Sequence, residues 1–290
     1  MPTSQLPRYL LAVLVLLVAT EAQGQIKHRF LAIDNGQNRL LCVDQREPAS
    51  GWAVRIPGGS RDLQLLGHER VLVSHGNGAA EYDLATGRKL AWVVDRYAQI
   101  SSAQRSASGK TLLGANTAAG VVLYELDRAG QEVGKRLLAG LKDLRLARSL
   151  ENGHVLLTVS GPCRAMEVDP HGQIVWQASL PDKGYQAIRL PNGNTLVSTG
   201  GAVTVVELNP AGQEIFAVGG KKTHPGLGLD WFSGFQVLPN GHLVVANWLG
   251  HGKQGTGPHL VEFDRQNRVV WKWDDHQLAT TITNVLVCDQ

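Results

Sequence analysis

Between Trp231 and Trp273 the chain alternates apolar and polar residues in four short runs. FQVL (235–238) and HLVVAN (242–247) flank Pro239-Asn240-Gly241, and HLVEF (259–263) and RVVWKW (268–273) flank Asp264-Arg265-Gln266-Asn267. Alternation with a period of two predicts strands, and the intervening residues are those that tight turns require. Both faces of the resulting four-stranded sheet carry apolar side chains. Such a sheet cannot bury itself and must stand between copies of itself.

The copies are present. Tyr185–Val218, Leu144–Ala178, Ile100–Leu138 and Asp62–Val94 repeat the pattern with both turns in matching places. Gly109, Gly153, Gly193 and Gly241 mark the first turn at steps of 44, 40 and 48 residues. Asp83, Asp127, Asp169 and Asn209 open the second at steps of 44, 42 and 40. Four strands repeating at this spacing predict the blades of a β-propeller. His28–Val54 supplies only strands two to four of a blade, and Ile282–Gln290 matches the missing first strand. The expected fold is therefore all-β: a six-bladed β-propeller of four-stranded antiparallel blades, the first closed by the C-terminal strand, which leaves no ring edge unpaired.

Residues 1–24 read as a leader, and 25–290 as a single propeller domain. Arg8 precedes the apolar run Tyr9–Ala19, and small residues follow at Ala22 and Gly24. This is the pattern of a secretory signal peptide, too short for a bilayer span of about 20 residues. The expectation is a secreted or periplasmic protein with no membrane span after leader removal; the alternative is a leader kept as an anchor. A net charge of +3 with scattered basic residues argues against a nucleic-acid partner. Cys42, Cys163 and Cys288 lie far apart, outside any zinc-ribbon or c-type haem spacing, and read as buried small hydrophobes. A monomer is expected.

The segment Ala80–Trp92 (AEYDLATGRKLAW) is close to the A-x-D-x-x-T-G-x-x-x-W pattern, with shifted spacing. Looser versions run from Asp169 through Gly172 to Trp176 and from Asp264 through Asn267 to Trp271. In these residues the chain resembles the quinoprotein-like (pyrroloquinoline-quinone-repeat-like) β-propellers. The resemblance implies that the motif residues dock one blade against the next. The quinone-binding dehydrogenases of that family have eight blades, a longer chain and a vicinal cysteine pair. This chain departs from all three, so neither quinone nor any other cofactor is expected.

Catalytic motifs are missing. Gly109-Lys110-Thr111 lacks both the upstream glycine of a phosphate loop and a following helix. No G-x-S-x-G or H-E-x-x-H occurs, and Asp34–Asn38 lacks the acid that completes a calcium loop. No catalytic residue and no metal ligand is assigned. Strand polarity sends the variable loops, with the long Gly219–Gly234 and Asn247–His259 segments, to one end of the ring. Long loops on a rigid scaffold usually carry function. The candidate ligand-binding residues there are His75, Asn116, Trp231, Asn247, Trp248 and His251. The function expected is a binding or scaffold protein recognising a small ligand or protein partner through this face. The alternative is a small exported enzyme, of transferase, lyase or hydrolase type, using His251 or His75 with Asp230 or Asp34.

Overall fold

A computed structural model describes residues 26–289. The predicted leader lies outside the described residues. Six sheets of four antiparallel strands form the ring. Blade 1 has the order β24 (Ile282–Val287), β1 (Arg29–Asp34), β2 (Arg39–Asp44), β3 (Trp52–Arg55), from the axis outward. Blade 2 comprises β4 (Leu63–Leu66), β5 (Arg70–His75), β6 (Gly78–Asp83) and β7 (Lys89–Asp95). Blade 3 comprises β8 (Ile100–Arg105), β9 (Thr111–Thr117), β10 (Gly120–Leu126) and β11 (Glu132–Ala139). Blade 4 comprises β12 (Lys142–Ser149), β13 (Val155–Gly161), β14 (Cys163–Val168) and β15 (Ile174–Ser179). Blade 5 comprises β16 (Ala187–Arg189), β17 (Thr195–Ser198), β18 (Thr204–Leu208) and β19 (Glu214–Gly219). Blade 6 comprises β20 (Phe232–Val237), β21 (Leu243–Asn247), β22 (Leu260–Phe263) and β23 (Val269–Trp273). No helix among the described residues is long and apolar enough to cross a membrane.

Because the inner and middle strands bury side chains on both faces, the core is not one mass but a series of layers between neighbouring blades. Phe30 and Leu41 of blade 1, for example, pack with Val244, Leu260 and Trp273 of blade 6. The repeated tryptophans lock these layers from outside. Trp52 donates its indole N–H to Leu84 O of the next blade at 3.2 Å. Trp92 reaches Arg128 O at 3.1 Å, and Trp176 reaches Pro210 O at 3.0 Å. Trp271 closes the circle on Gln45 Oε1 at 3.0 Å. Where the repeat lacks its tryptophan, Arg136 donates to Asp169 O at 3.0 Å, and Arg265 lies 4.0 Å over the Phe216 ring.

The turns follow from the residues that form them. Asp169 and Asp264 each accept two backbone N–H groups at 2.8–2.9 Å, which curls the chain back. Gly172 then takes φ +83°, a conformation open to glycine and tolerated by asparagine, and Asn267 takes φ 59° at the matching place in blade 6.

Closure of the ring is by pairing of β24 with β1, Phe30 opposite Val287 and Ala32 opposite Val285. A chain of four ionisable groups pins this joint. His28 Nδ1 meets Asp289, His28 Nε2 lies 2.8 Å from Glu262 Oε2, and Glu262 Oε1 lies 2.6 Å from His242 Nδ1. The first and last strands of the ring are thereby tied to blade 6.

Candidate ligand site

Each blade contributes one residue to the mouth of the axial channel, at the same place in its innermost strand or just before it. These are Arg61, Ser101, Arg145, Tyr185, Ser233 and Thr283. Three positions on, Gln64, Gln104, Arg148, Ile188, Gln236 and Leu286 together line the opposite opening. Bulges in β8, β12 and β20, between Ile100 and Ser102, Leu144 and Ala147, and Phe232 and Phe235, interrupt the strand alternation between the two rings. Between them the channel is crossed by polar contacts. Arg148 pairs with Asp62, which also accepts from Ser102 Oγ at 2.8 Å and Ala103 N at 3.1 Å. Gln186 makes two 3.0 Å hydrogen bonds to the backbone of Phe235.

Above this floor lies a cavity of about 300 Å³ at the long-loop end. Trp231, Trp248 and His251 line it, together with Arg61, Arg145 and Tyr185. The two indoles meet edge to face with centroids 6.4 Å apart, and His251 meets Trp248 edge to face at 4.9 Å. Their placement is built into the loops. Trp248 donates its backbone N–H to Trp231 O at 2.7 Å and its indole N–H to Asn35 Oδ1 at 3.0 Å. Trp231 lies against Gly200, where a Cβ would come within 2.7 Å of the ring. His251 is exposed and holds a left-handed φ of 52°. A second, polar recess of about 570 Å³ adjoins, sharing Arg61 and Arg145.

The other three predicted residues are placed differently. Asn247 is fully buried and spends its whole amide on backbone. Its Oδ1 accepts from Asp230 N at 2.8 Å and Trp231 N at 3.3 Å, and its Nδ2 donates to Gly228 O and Pro258 O. It positions Trp231 rather than meeting the cavity. Asn116 lines the polar recess but is engaged with Leu144 N at 2.7 Å and Leu144 O at 3.1 Å. His75 lines neither recess: it continues the face of Val71 and Val73, which packs against blade 1. It is 2% exposed, and burial pushes its imidazole below the usual histidine range.

Asp34, the partner considered for a catalytic histidine, is also buried. It accepts from Thr280 Oγ1 at 2.6 Å and pairs with Arg39 at 3.1 Å, holding the start of the closing segment. Among the described residues no cluster of three acids, histidines or cysteines could hold a metal ion.

The channel-mouth residues Arg61, Arg145, Tyr185, Ser233 and Thr283 were missed by reading the loops, as was Lys183 beside Tyr185. A usable signal existed: superposing the repeats on the innermost strand puts one residue from each blade at one position. Tyr185 is 5% exposed, and Thr283 stands beside its hydroxyl without completing a hydrogen bond. Burial raises the phenol pKa, so the group is held as a neutral donor. The Arg61 side chain makes no hydrogen bond or ion pair among the described residues. Arg145 pairs with Asp143 at 3.2 Å and donates to Ser160 Oγ at 3.0 Å.

Fold and closure define the class: a six-bladed β-propeller closed by its own C-terminal strand. No family model and no curated protein matches the chain. Among solved structures it is similar to a protein of unknown function from Bacteroides caccae, 22% identical with a TM-score of 0.76, covering 91% of this chain and 100% of that one. A Lactobacillus plantarum protein gives a TM-score of 0.56 at 9% identity, over 90% and 99% of the two chains. A catalytically inactive histidine-to-alanine form of virginiamycin B lyase from Staphylococcus aureus, solved with quinupristin, gives 0.53 at 12% identity, over 75% and 70%. At these identities the likeness is one of fold.

Proposed function

We propose that this chain is an exported, non-catalytic binding propeller that takes a small ligand into the cavity at its long-loop end. The observation that carries the reading is the convergence of Trp231, Trp248 and His251 with charged residues of other blades around one recess. Aromatic walls with a few convergent polar groups are the usual form of a small-molecule site. The recesses at the end with the short, uniform turns, of about 770 and 450 Å³, are lined by no tryptophan or histidine among the described residues. Membership among the quinoprotein-like repeats is part of the proposal, supported by the docking of Trp92, Trp176 and Trp271 onto neighbouring blades.

A thermal-shift screen of sugars, sulfate esters, peptides and quinones tests the reading. A stabilising compound should lose its effect in Trp231→Ala and His251→Ala and keep it in Asn240→Ala, at the opposite end. The reverse pattern would place the site on the wrong face. Export predicts a mature N-terminus at or shortly after Gln23; an intact Met1 on cytoplasmic protein would refute it.

A second reading rests on His251, the one histidine lining the cavity. In the similar lyase a histidine-to-alanine form is inactive. A lyase-type reaction here would require His251 as acid or base, and turnover abolished in His251→Ala with binding retained would favour it.

A further inference from the structure

The recess around Trp231 has a chemical bias that the binding reading leaves open. Its lining contains Arg61, Arg145 and Lys183 and no aspartate or glutamate. Three acids flanking the lining residues in sequence already have partners. Asp62 is tied to Arg148 at 2.7 Å, Asp143 faces Arg145 from the rim at 3.2 Å, and Asp182 accepts from Lys183 N at 2.7 Å. Arg61 and the Lys183 ammonium form no ion pair among the described residues; the ammonium lies 5.8 Å from the Trp231 ring centre. Beside them the Tyr185 hydroxyl, buried and without a hydrogen-bond partner, is a donor left unfilled. An unsatisfied buried donor costs about 1–3 kcal/mol, so such a group is normally met by protein, water or ligand.

Resting on the binding reading above, we infer that the ligand is an aryl oxyanion: a carboxylate, sulfate or phosphate carried on a flat ring. Arg61, Arg145, Lys183 and Tyr185 come from the blade 2, 4 and 5 sides of the recess and supply the donors for the anionic head. Guanidinium groups present two parallel N–H bonds to such oxygens. Trp231 and Trp248, both from the blade 6 side, supply an apolar wall for the ring. A volume of about 300 Å³ accommodates a single ring with its head group. The donors and the aromatic wall thus meet in one recess, with the Lys183 ammonium 5.8 Å from the Trp231 ring centre, which selects for a ligand carrying both an anion and a ring.

The test titrates the full protein, at low salt, with phenyl phosphate, phenyl sulfate and benzoate, alongside benzamide, benzyl alcohol and inorganic phosphate, following binding heat and tryptophan fluorescence. At least one aryl oxyanion should bind about tenfold more tightly than either neutral ring or the bare ion, and weaken as salt is added. Which of the three binds best identifies the head group. Arg61→Gln should cost that anion about tenfold and Tyr185→Phe about fivefold, with circular dichroism unchanged. Trp231→Leu should remove the advantage of phenyl phosphate over inorganic phosphate. Equal binding of benzamide and the anions, or affinity unchanged in Arg61→Gln, overturns the oxyanion assignment and leaves the cavity a binding site. Absence of heat and fluorescence change with every compound removes both.

Discussion

Arg148 places its two terminal nitrogens on the two carboxylate oxygens of Asp62, at 2.7 Å each, although the residues belong to blades 4 and 2. The Asp62 side chain is fully buried and that of Arg148 is 18% exposed. The pair thus spans the ring past blade 3 and forms part of the floor beneath the cavity. Removing one member leaves the other charge desolvated. Asp62→Ala is expected to destabilise the protein by about 3–5 kcal/mol in urea unfolding, and the double variant with Arg148→Met by less than the sum of the singles.

The closing strand should matter far beyond its length. Deleting the chain after Asp275 removes Ile282, Val285 and Val287 from the apolar layer between blades 1 and 6 and bares the edge of β1. The shortened protein should melt well below the full chain or fail to unfold cooperatively. Equal melting temperatures would refute closure by the C-terminus.

The ionic chain at this joint makes its stability pH-dependent. Burial opposes protonation of His28, but Glu262 and Asp289 together outweigh it and raise its pKa above 6.5. Burial likewise opposes ionisation of Glu262 and Asp289. Glu262 is nevertheless held below 4.5 by His28 and His242, and Asp289 below 3.8 by the Arg29 N–H and His28. The His28 contribution is complete below pH 6.5 and is lost as pH rises through its folded value. The carboxylate contributions are complete above about pH 4.5 and are lost in more acidic solution. His28→Gln should therefore cost more stability at pH 5.5 than at pH 8.5.

His259 acts in the opposite direction. It is fully buried, both ring nitrogens lack partners, and burial, with the charge of His276, pushes its pKa down to about 4. Folding is thus opposed progressively as pH falls from 6.5 to about 4, because the unfolded chain takes up the proton first. His259→Phe should be near neutral at pH 7.5 and more stable than the parent at pH 4.5. A larger loss at the acidic pH would show that the imidazole has a partner.

Two glycines in left-handed turns separate backbone strain from packing. Gly87 and Gly153 have φ of +70° and +81°. A Cβ at Gly87 would lie 2.6 Å from the Trp52 ring, whereas at Gly153 its nearest neighbour is Pro170 at 3.9 Å. Gly153→Ala should cost about 1 kcal/mol, and Gly87→Ala about 1–3 kcal/mol more, through displacement of Trp52. Equal losses would mean that the tryptophan yields freely.

The repeat pattern by itself determined the fold. Alternation in runs such as HLVVAN, glycine at 109, 153, 193 and 241, and a blade divided as three strands at the N-terminus and one at the C-terminus admit one closed arrangement. They do so because strand period, turn stereochemistry and the need to bury both faces are local properties repeated along the chain. The same reading placed Trp231, Trp248 and His251 at the cavity, since strand polarity fixes the end to which a loop belongs. It could not decide which polar groups are free. Asn247 and Asn116 look like ligand residues in sequence, yet each spends its amide on backbone made adjacent only by folding. Arg61 and Tyr185 look like ordinary strand-start residues, yet they stand at the channel mouth, the Arg61 guanidinium without a protein partner among the described residues and the Tyr185 hydroxyl buried and unpaired. Hydrogen-bond satisfaction depends on contacts between blades, so only the tertiary structure separates a residue that holds the scaffold from one left open to a ligand.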